Sequence, residues 1–171
     1  ATAAFAAEYD VTKGSVDILA EGGKQYITQW EDKDKDTCVK DGKGKEIRNR
    51  EDSKIILTTK NETTDETETT DKTKPTSNTV TIDAKDGNTA KVTLDNVNID
   101  VYGSSKAALT VTGDGNTEIE LNGDNTLISG RGHAGLEKAD DVSHGSLTIK
   151  DDLKNNGSKK EEGQPGDVGS L

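Results

Sequence analysis

The sequence predicts an all-β fold, a right-handed parallel β-solenoid (β-helix) with short rungs, and a β-sandwich is the alternative. Three observations predict it. From Thr79 to Gly103 the apolar residues alternate strictly: Val80 and Ile82, then Val92 and Leu94, then Val97, Ile99 and Val101. Such alternation puts every second side chain on one face of a strand. Apolar-x-apolar pairs followed by Asn or Asp then recur, at Val92, Ile119 and Leu147, 27 and 28 residues apart. A period of that size with several short strands in each repeat is the signature of stacked, coiled strands. Finally, the chain has one Phe, one Trp and three Tyr in 171 residues. A narrow interior accepts Val, Ile, Leu, Ala and Thr and leaves little room for rings. A sandwich core of two packed sheets usually carries more aromatics.

The elements follow in order. Residues 1–6 are small and apolar, and Ala4-Phe5-Ala6 fits the small-x-small pattern cleaved by signal peptidase. They read as a signal-peptide remnant or flexible tail. Residues 7–57 read as an N-terminal cap and first rungs, with strands at Ser15–Leu19, Gln25–Trp30 and Lys54–Thr58 between charged turns. Residues 58–78 form an acidic Thr-rich excursion with no Val, Ile, Leu or aromatic. Such a segment cannot bury a face, so replacing Asn61 to Lys74 with a short Gly-Ser linker is expected to leave stability nearly unchanged. Residues 79–152 carry the repeat, with Asn88, Asn96, Asn122 and Asn125 at corners where left-handed backbone is tolerated. Residues 153–171 are a polar C-terminal segment.

Leu, Ile and Val number 30, and 17 of them fall between residues 76 and 150, so a core there must be thin. The net charge of −11 argues against nucleic acid, which needs a basic stripe, and against an anionic membrane surface. No apolar run reaches the length of a membrane span, so no membrane insertion is expected. With Cys38 alone, an internal disulfide cannot form.

The segments DVTKGSVDI (10–18), VTLDNVNIDVYGSSKAAL (92–109), TEIELNGDNTLISGRGHAGLEK (117–138) and GSLTIKDD (145–152) resemble parts of large secreted repetitive surface proteins of gut Gram-positive anaerobes. That resemblance implies β-helix repeats of a carbohydrate-binding-like or adhesin-like kind. It also implies a secreted or cell-surface location. The chain departs from the pattern at 58–78 and after Asp152.

Little in the sequence points to catalysis. DKDKDTCVKDGK from Asp32 looks like a calcium loop but carries Thr37 and Lys43 where Gly and Glu are needed. Calcium at corner carboxylates such as Asp114, Asp124, Asp151 and Asp152 is a weak alternative, and no cofactor is expected. His133, His144 and Cys38 lack zinc-site spacing. No Ser-His-Asp order is present, and the chain is read as no enzyme. The outward positions of the repeat strands include the binding candidates Asp95, Asn98, Asp100, Glu118 and Glu120, of which the four acids could form an acidic patch. Tyr26 and Trp30 lie at i and i+4 on one strand face, and Tyr102 sits at a corner. All three are candidate contacts for a sugar or a protein. The expected function is a non-enzymatic binding module of an exported bacterial surface protein that recognises a host protein, with secreted immunoglobulin the candidate its setting suggests. Glycan binding is the alternative and a passive spacer the third.

Overall fold

A computed structural model describes residues 7–60, 74–139 and 144–151. The expectations for 1–6, for 61–73 of the Thr-rich stretch and for 153–171 lie outside the described residues. The chain begins with β1 (Glu8–Asp10), a single 3-10 turn at Val11–Lys13, β2 (Ser15–Glu21), β3 (Lys24–Trp30), β4 (Arg50–Glu51) and β5 (Ile55–Thr58). It continues with β6 (Val80–Ala84), β7 (Thr89–Asp95), β8 (Asn98–Asp100) and β9 (Leu109–Thr112). The last strands are β10 (Asn116–Asn122), β11 (Thr126–Ile128), β12 (Leu136–Lys138) and β13 (Leu147–Lys150).

The right-handed parallel β-solenoid is corrected by this arrangement. The strands sort into three separate sheets: five strands in the order β1-β5-β7-β10-β13, six in the order β12-β9-β6-β2-β3-β4, and the pair β11-β8. The six-stranded sheet is mixed, because β3 runs antiparallel to both β2 and β4. Gly22 and Gly23, both at positive φ, make the tight turn that folds β3 back on β2. Alternation and spacing in the later half could not reveal that reversal. The sandwich alternative fits in part: the two large sheets bury their inner faces in one core, but most of their pairings are parallel.

The repeat spacing survives as strand register. Ile119 pairs with Val92 and Leu121 with Leu94. One step further the sequence alignment slips by two residues, since Ile149 rather than Leu147 lies opposite Ile119. Alternation works as expected: β2 reads Val16, Ile18 and Ala20 inward, and β7 reads Ala90, Val92 and Leu94 inward. Ile82, Leu109, Leu57 and Ile99 join them, each fully buried. Burying one such side chain is worth about 1.5–3 kcal/mol.

Two glutamines on β3 face this core and replace missing ladder partners. Gln25 donates through Nε2 to the Lys91 carbonyl (3.1 Å) and accepts the Lys91 amide through Oε1 (3.0 Å). Gln29 Nε2 donates to the carbonyls of Asp10 (2.7 Å) and Gly14 (3.0 Å). Both ends of the Thr-rich stretch are tied to β8. Thr59 Oγ1 accepts the Asn98 amide at 2.9 Å, and Thr76 forms a parallel bridge with Ile99.

Candidate functional site

Parallel register aligns the outward side chains of the five-stranded sheet in rows. Ile56, Thr93, Glu120 and Lys150 form one row, and Thr58, Asp95 and Asn122 another. Lys91, Glu118 and Thr148 form a third. Neighbouring members of a row are separated by the interstrand spacing of about 4.8 Å. Lysines interleave with the acids: Lys150 Nζ lies 3.4 Å from Glu118. Asp95 accepts a hydrogen bond from Asn96 Nδ2 at 2.8 Å. The face is therefore a mixed polar surface. Asn98 and Asp100 are carried on β8, in the two-stranded sheet, so the acidic patch foreseen from the sequence is divided between two sheets.

Tyr26 and Trp30 do share a face of β3, and both are half-buried. Trp30 is engaged in the protein itself. Its Nε1 donates to Asp17 Oδ2 at 2.9 Å, an oxygen that also receives Lys35 Nζ at 2.9 Å. The Arg48 guanidinium lies 5.5 Å from the ring centroid, a cation–π arrangement that occupies one ring face. The indole thus pins the 31–49 loop to β2.

Tyr102 is the open aromatic, 78 % exposed. Asp100 Oδ1 accepts the Tyr102 amide at 2.9 Å and fixes the corner that presents the ring. Beside it lies a shallow groove of about 250 Å³ lined by Ser15, Ser77, Ser104, Asp100, Lys33 and Lys106. Asp100 is thus the foreseen residue that lines this groove, while Tyr102 stands between two of its lining residues, Val101 and Gly103. Its other walls come from distant segments, and no local pattern marks them.

A larger groove, about 460 Å³, runs along β1 and was not foreseen. It is lined by residues of 7–13, Gln29, the 39–50 segment and Lys60. Tyr9 lies beneath it, with its hydroxyl donating to Asp52 Oδ2 at 2.6 Å. Burial, aided by that acceptor, pushes the Tyr9 pKa well above the ordinary tyrosine value. On the groove wall, Asp41 Oδ1 accepts the amides of Lys43 and Lys45, both at 2.9 Å, and Asp41 Oδ2 accepts from Arg50 at 3.0 Å. The Lys45 and Lys43 amides are the main reason its pKa is lowered. A depressed carboxylate contributes stability that is complete above the unfolded-state pKa and lost as pH falls through the folded one. Replacing Asp41 by Ala is therefore expected to remove part of the acid-side loss of stability below the ordinary aspartate value of 3.8. Thermal melts of the variant and parent from pH 7 down to acid would check this, and parallel curves would refute it.

The calcium-loop segment brings the carboxylates of Asp32, Asp34 and Asp36 within 4.8 Å of one another. Asp32 Oδ1 is already used as an acceptor for the Asp36 and Thr37 amides, both at 3.0 Å, which organise the turn. Among the described residues this is the one group of three or more metal-capable side chains that converge, and it contains neither histidine nor Cys38. Cys38 is buried, and burial raises its thiol pKa. His133 Nδ1 lies 2.9 Å from Glu137, and that contact with the Ala134 amide lowers the Glu137 pKa.

Comparisons with protein-family models, with curated proteins and with solved structures find no match to this chain.

Proposed function

We propose that the chain is a non-enzymatic binding module of an exported bacterial surface protein, and that it recognises a host protein through the outer face of the five-stranded sheet. The observation that carries this reading is the row alignment of Thr93, Glu120 and Lys150 beside Lys91, Glu118 and Thr148. A rigid sheet presents these groups at fixed spacing, so a partner can be met by many weak polar contacts without a pocket. Electrostatic complementarity of that kind confers specificity and association rate. The exported setting and the choice of secreted immunoglobulin as first candidate come from the sequence resemblance.

The test is capture from mucosal secretions and from purified secretory immunoglobulin on the immobilised chain. Retention of a host protein at micromolar concentration is expected. The double substitution Glu118→Lys with Glu120→Lys should weaken it by about tenfold or more, the range for charge reversal in a complementary interface. Failure to retain any host protein would refute the reading.

The exposed Tyr102, whose chain neighbours Val101 and Gly103 line the hydroxyl-rich groove, favours a second reading, glycan binding, in which the ring stacks on a sugar face. A glycan array then gives signal that Tyr102→Ala abolishes and Trp30→Ala, if folded, retains. Blank results in both screens would leave a passive spacer.

A further inference from the structure

The two large sheets end differently at the β1 side of the molecule. The six-stranded sheet continues past β2 through β3 and β4, whereas the five-stranded sheet stops at β1. The groove along β1 lies where one more strand of that sheet would run, walled on its far side by the 39–50 segment. We propose that this groove binds an extended acidic peptide of a partner protein, added as a strand beside β1. The proposal does not depend on what the sheet face or the Tyr102 groove recognises.

Three features carry it. The edge is open for pairing at Glu8, the Asp10 carbonyl being already satisfied within the chain. Gln29 Nε2 takes the Asp10 carbonyl at 2.7 Å, so that carbonyl points away from β5. Backbone groups of alternate residues point the same way, which puts the Glu8 amide and carbonyl on the groove side. Strand addition at such an edge is a recurring mode of peptide recognition. The floor is apolar, formed by Tyr9, Val39 and Ile47, and suits the inward side chains of an alternating segment. The rim is basic on a chain of net charge −11. Of the five cations lining the groove, Lys60 pairs with Glu8 at 2.8 Å and Arg50 with Asp41 at 3.0 Å. Lys13, Lys40 and Lys43 have no ion-pair partner among the described residues. Asp10 Oδ1, the remaining lining carboxylate, accepts from the Thr12 amide and hydroxyl and from the Lys60 amide. The surplus positive charge selects acidic outward side chains, and the apolar floor selects aliphatic inward ones.

The probe is a fluorescein-labelled octapeptide of alternating valine and glutamate, titrated with the full chain and followed by anisotropy. Saturable binding is expected, falling as salt is raised. The triple variant Lys13→Glu, Lys40→Glu and Lys43→Glu changes exposed side chains, and an unchanged melting temperature establishes that it folds. It should weaken binding by about tenfold or more, the combined weight of three exposed ion pairs. Methylating alternate peptide amides should weaken binding by about tenfold as well, through lost backbone hydrogen bonds. A valine-lysine peptide should not bind. Lack of saturable binding, or a triple variant that binds like the parent, would overturn the proposal. So would equal affinity for the methylated peptide, or for a heparin oligosaccharide, which would make the groove a general polyanion site. A dimer of the chain that the peptide dissolves would assign the groove to a second copy and also overturn it.

Discussion

Replacing Asn125 by Ala should lower stability by about 3 kcal/mol, because it removes a partner from the buried Val97 amide and from the Leu94 and Asn122 carbonyls, although the last keeps the Asn96 amide. Asn125 is 2 % exposed. Its Oδ1 accepts the Val97 amide at 2.8 Å, and its Nδ2 donates to the carbonyls of Leu94 (3.2 Å) and Asn122 (3.1 Å). Val97 is fully buried and lies in the corner between β7 and β8. Water therefore cannot replace the lost acceptor without entering the core. For a chain of this size the loss corresponds to roughly 6–12 °C in melting temperature. Asn125→Asp should be no better, since it keeps an acceptor but removes the donor and introduces a charge. Asn122→Ala is the control. The Asn122 carbonyl, which the substitution keeps, is what Asn125 binds, so this change should cost well under 1 kcal/mol, as is usual for surface sites. Urea unfolding of the three variants gives the comparison. Equal stabilities for Asn125→Ala and Asn122→Ala would mean that the corner is held by other contacts.

That asparagine illustrates how much was legible beforehand. The alternation in 79–103 located β6, β7 and β8 because a strand with one buried face must write its pattern in every second residue. Of the four asparagines expected at left-handed corners, Asn96 adopts that conformation, at φ 54°, while Asn88, Asn122 and Asn125 do not, and Asn122 is the last residue of β10. What the sequence could not reveal was which asparagine turns inward: Asn96, Asn122 and Asn125 look alike as letters, yet Asn125 alone among them is buried. The overall architecture was misread for another reason. The repeat spacing reports which strands are neighbours, whereas the chain reversal that makes the six-stranded sheet mixed is marked by a different local signal, the Gly22-Gly23 pair between two strand runs.

The candidate sites were less legible than the fold. Trp30 looked like a contact residue because an exposed ring on a polar module is conspicuous. Its partners Asp17 and Arg48 lie 13 and 18 positions away on either side, and nothing in the YITQW stretch announces them. The β1 groove is assembled from four separated segments, and its basic character is hidden in a strongly acidic total charge. Asp100 and Tyr102 are each legible in the sequence for a different reason, one as an outward acid and the other as a corner aromatic, and the Asx turn that joins them is a structural finding.

The largest effect is expected at Gly115, where even an alanine should cost about 4 kcal/mol or more, or prevent folding, which is beyond the range of most single substitutions. Gly115 is buried in the turn between β9 and β10, and its amide donates to the Ala84 carbonyl at 2.7 Å. A Cβ there would lie 2.3 Å from the Lys85 carbonyl oxygen, 2.5 Å from that of Asn88 and 2.9 Å from that of Ala84. All three obstacles are backbone, so no side-chain rotation relieves them. Moving the turn is also resisted from the other side, since the Gly115 carbonyl is itself close-packed against Gly145. The same column is fastened by hydrogen bonds from one turn to the next. The Asn116 amide donates to the Asn88 carbonyl at 2.8 Å, and Asn116 Oδ1 accepts the Ser146 amide at 2.9 Å. Displacing Gly115 would therefore separate the β6–β7 turn from the β9–β10 turn and pull β7 from β10 at their shared register. Two other glycines separate this cause from a general loss of glycine. Gly42 has open space where its Cβ would be and no left-handed φ, so Gly42→Ala should change stability little. Gly87 also faces open space but sits at φ +78°, so Gly87→Ala should cost only the left-handed backbone penalty of about 1–2 kcal/mol. The expected order of melting temperatures is parent and Gly42→Ala, then Gly87→Ala, then Gly115→Ala far below. A Gly115→Ala protein that melts beside Gly87→Ala would show that the stacked turns have more room than these distances allow.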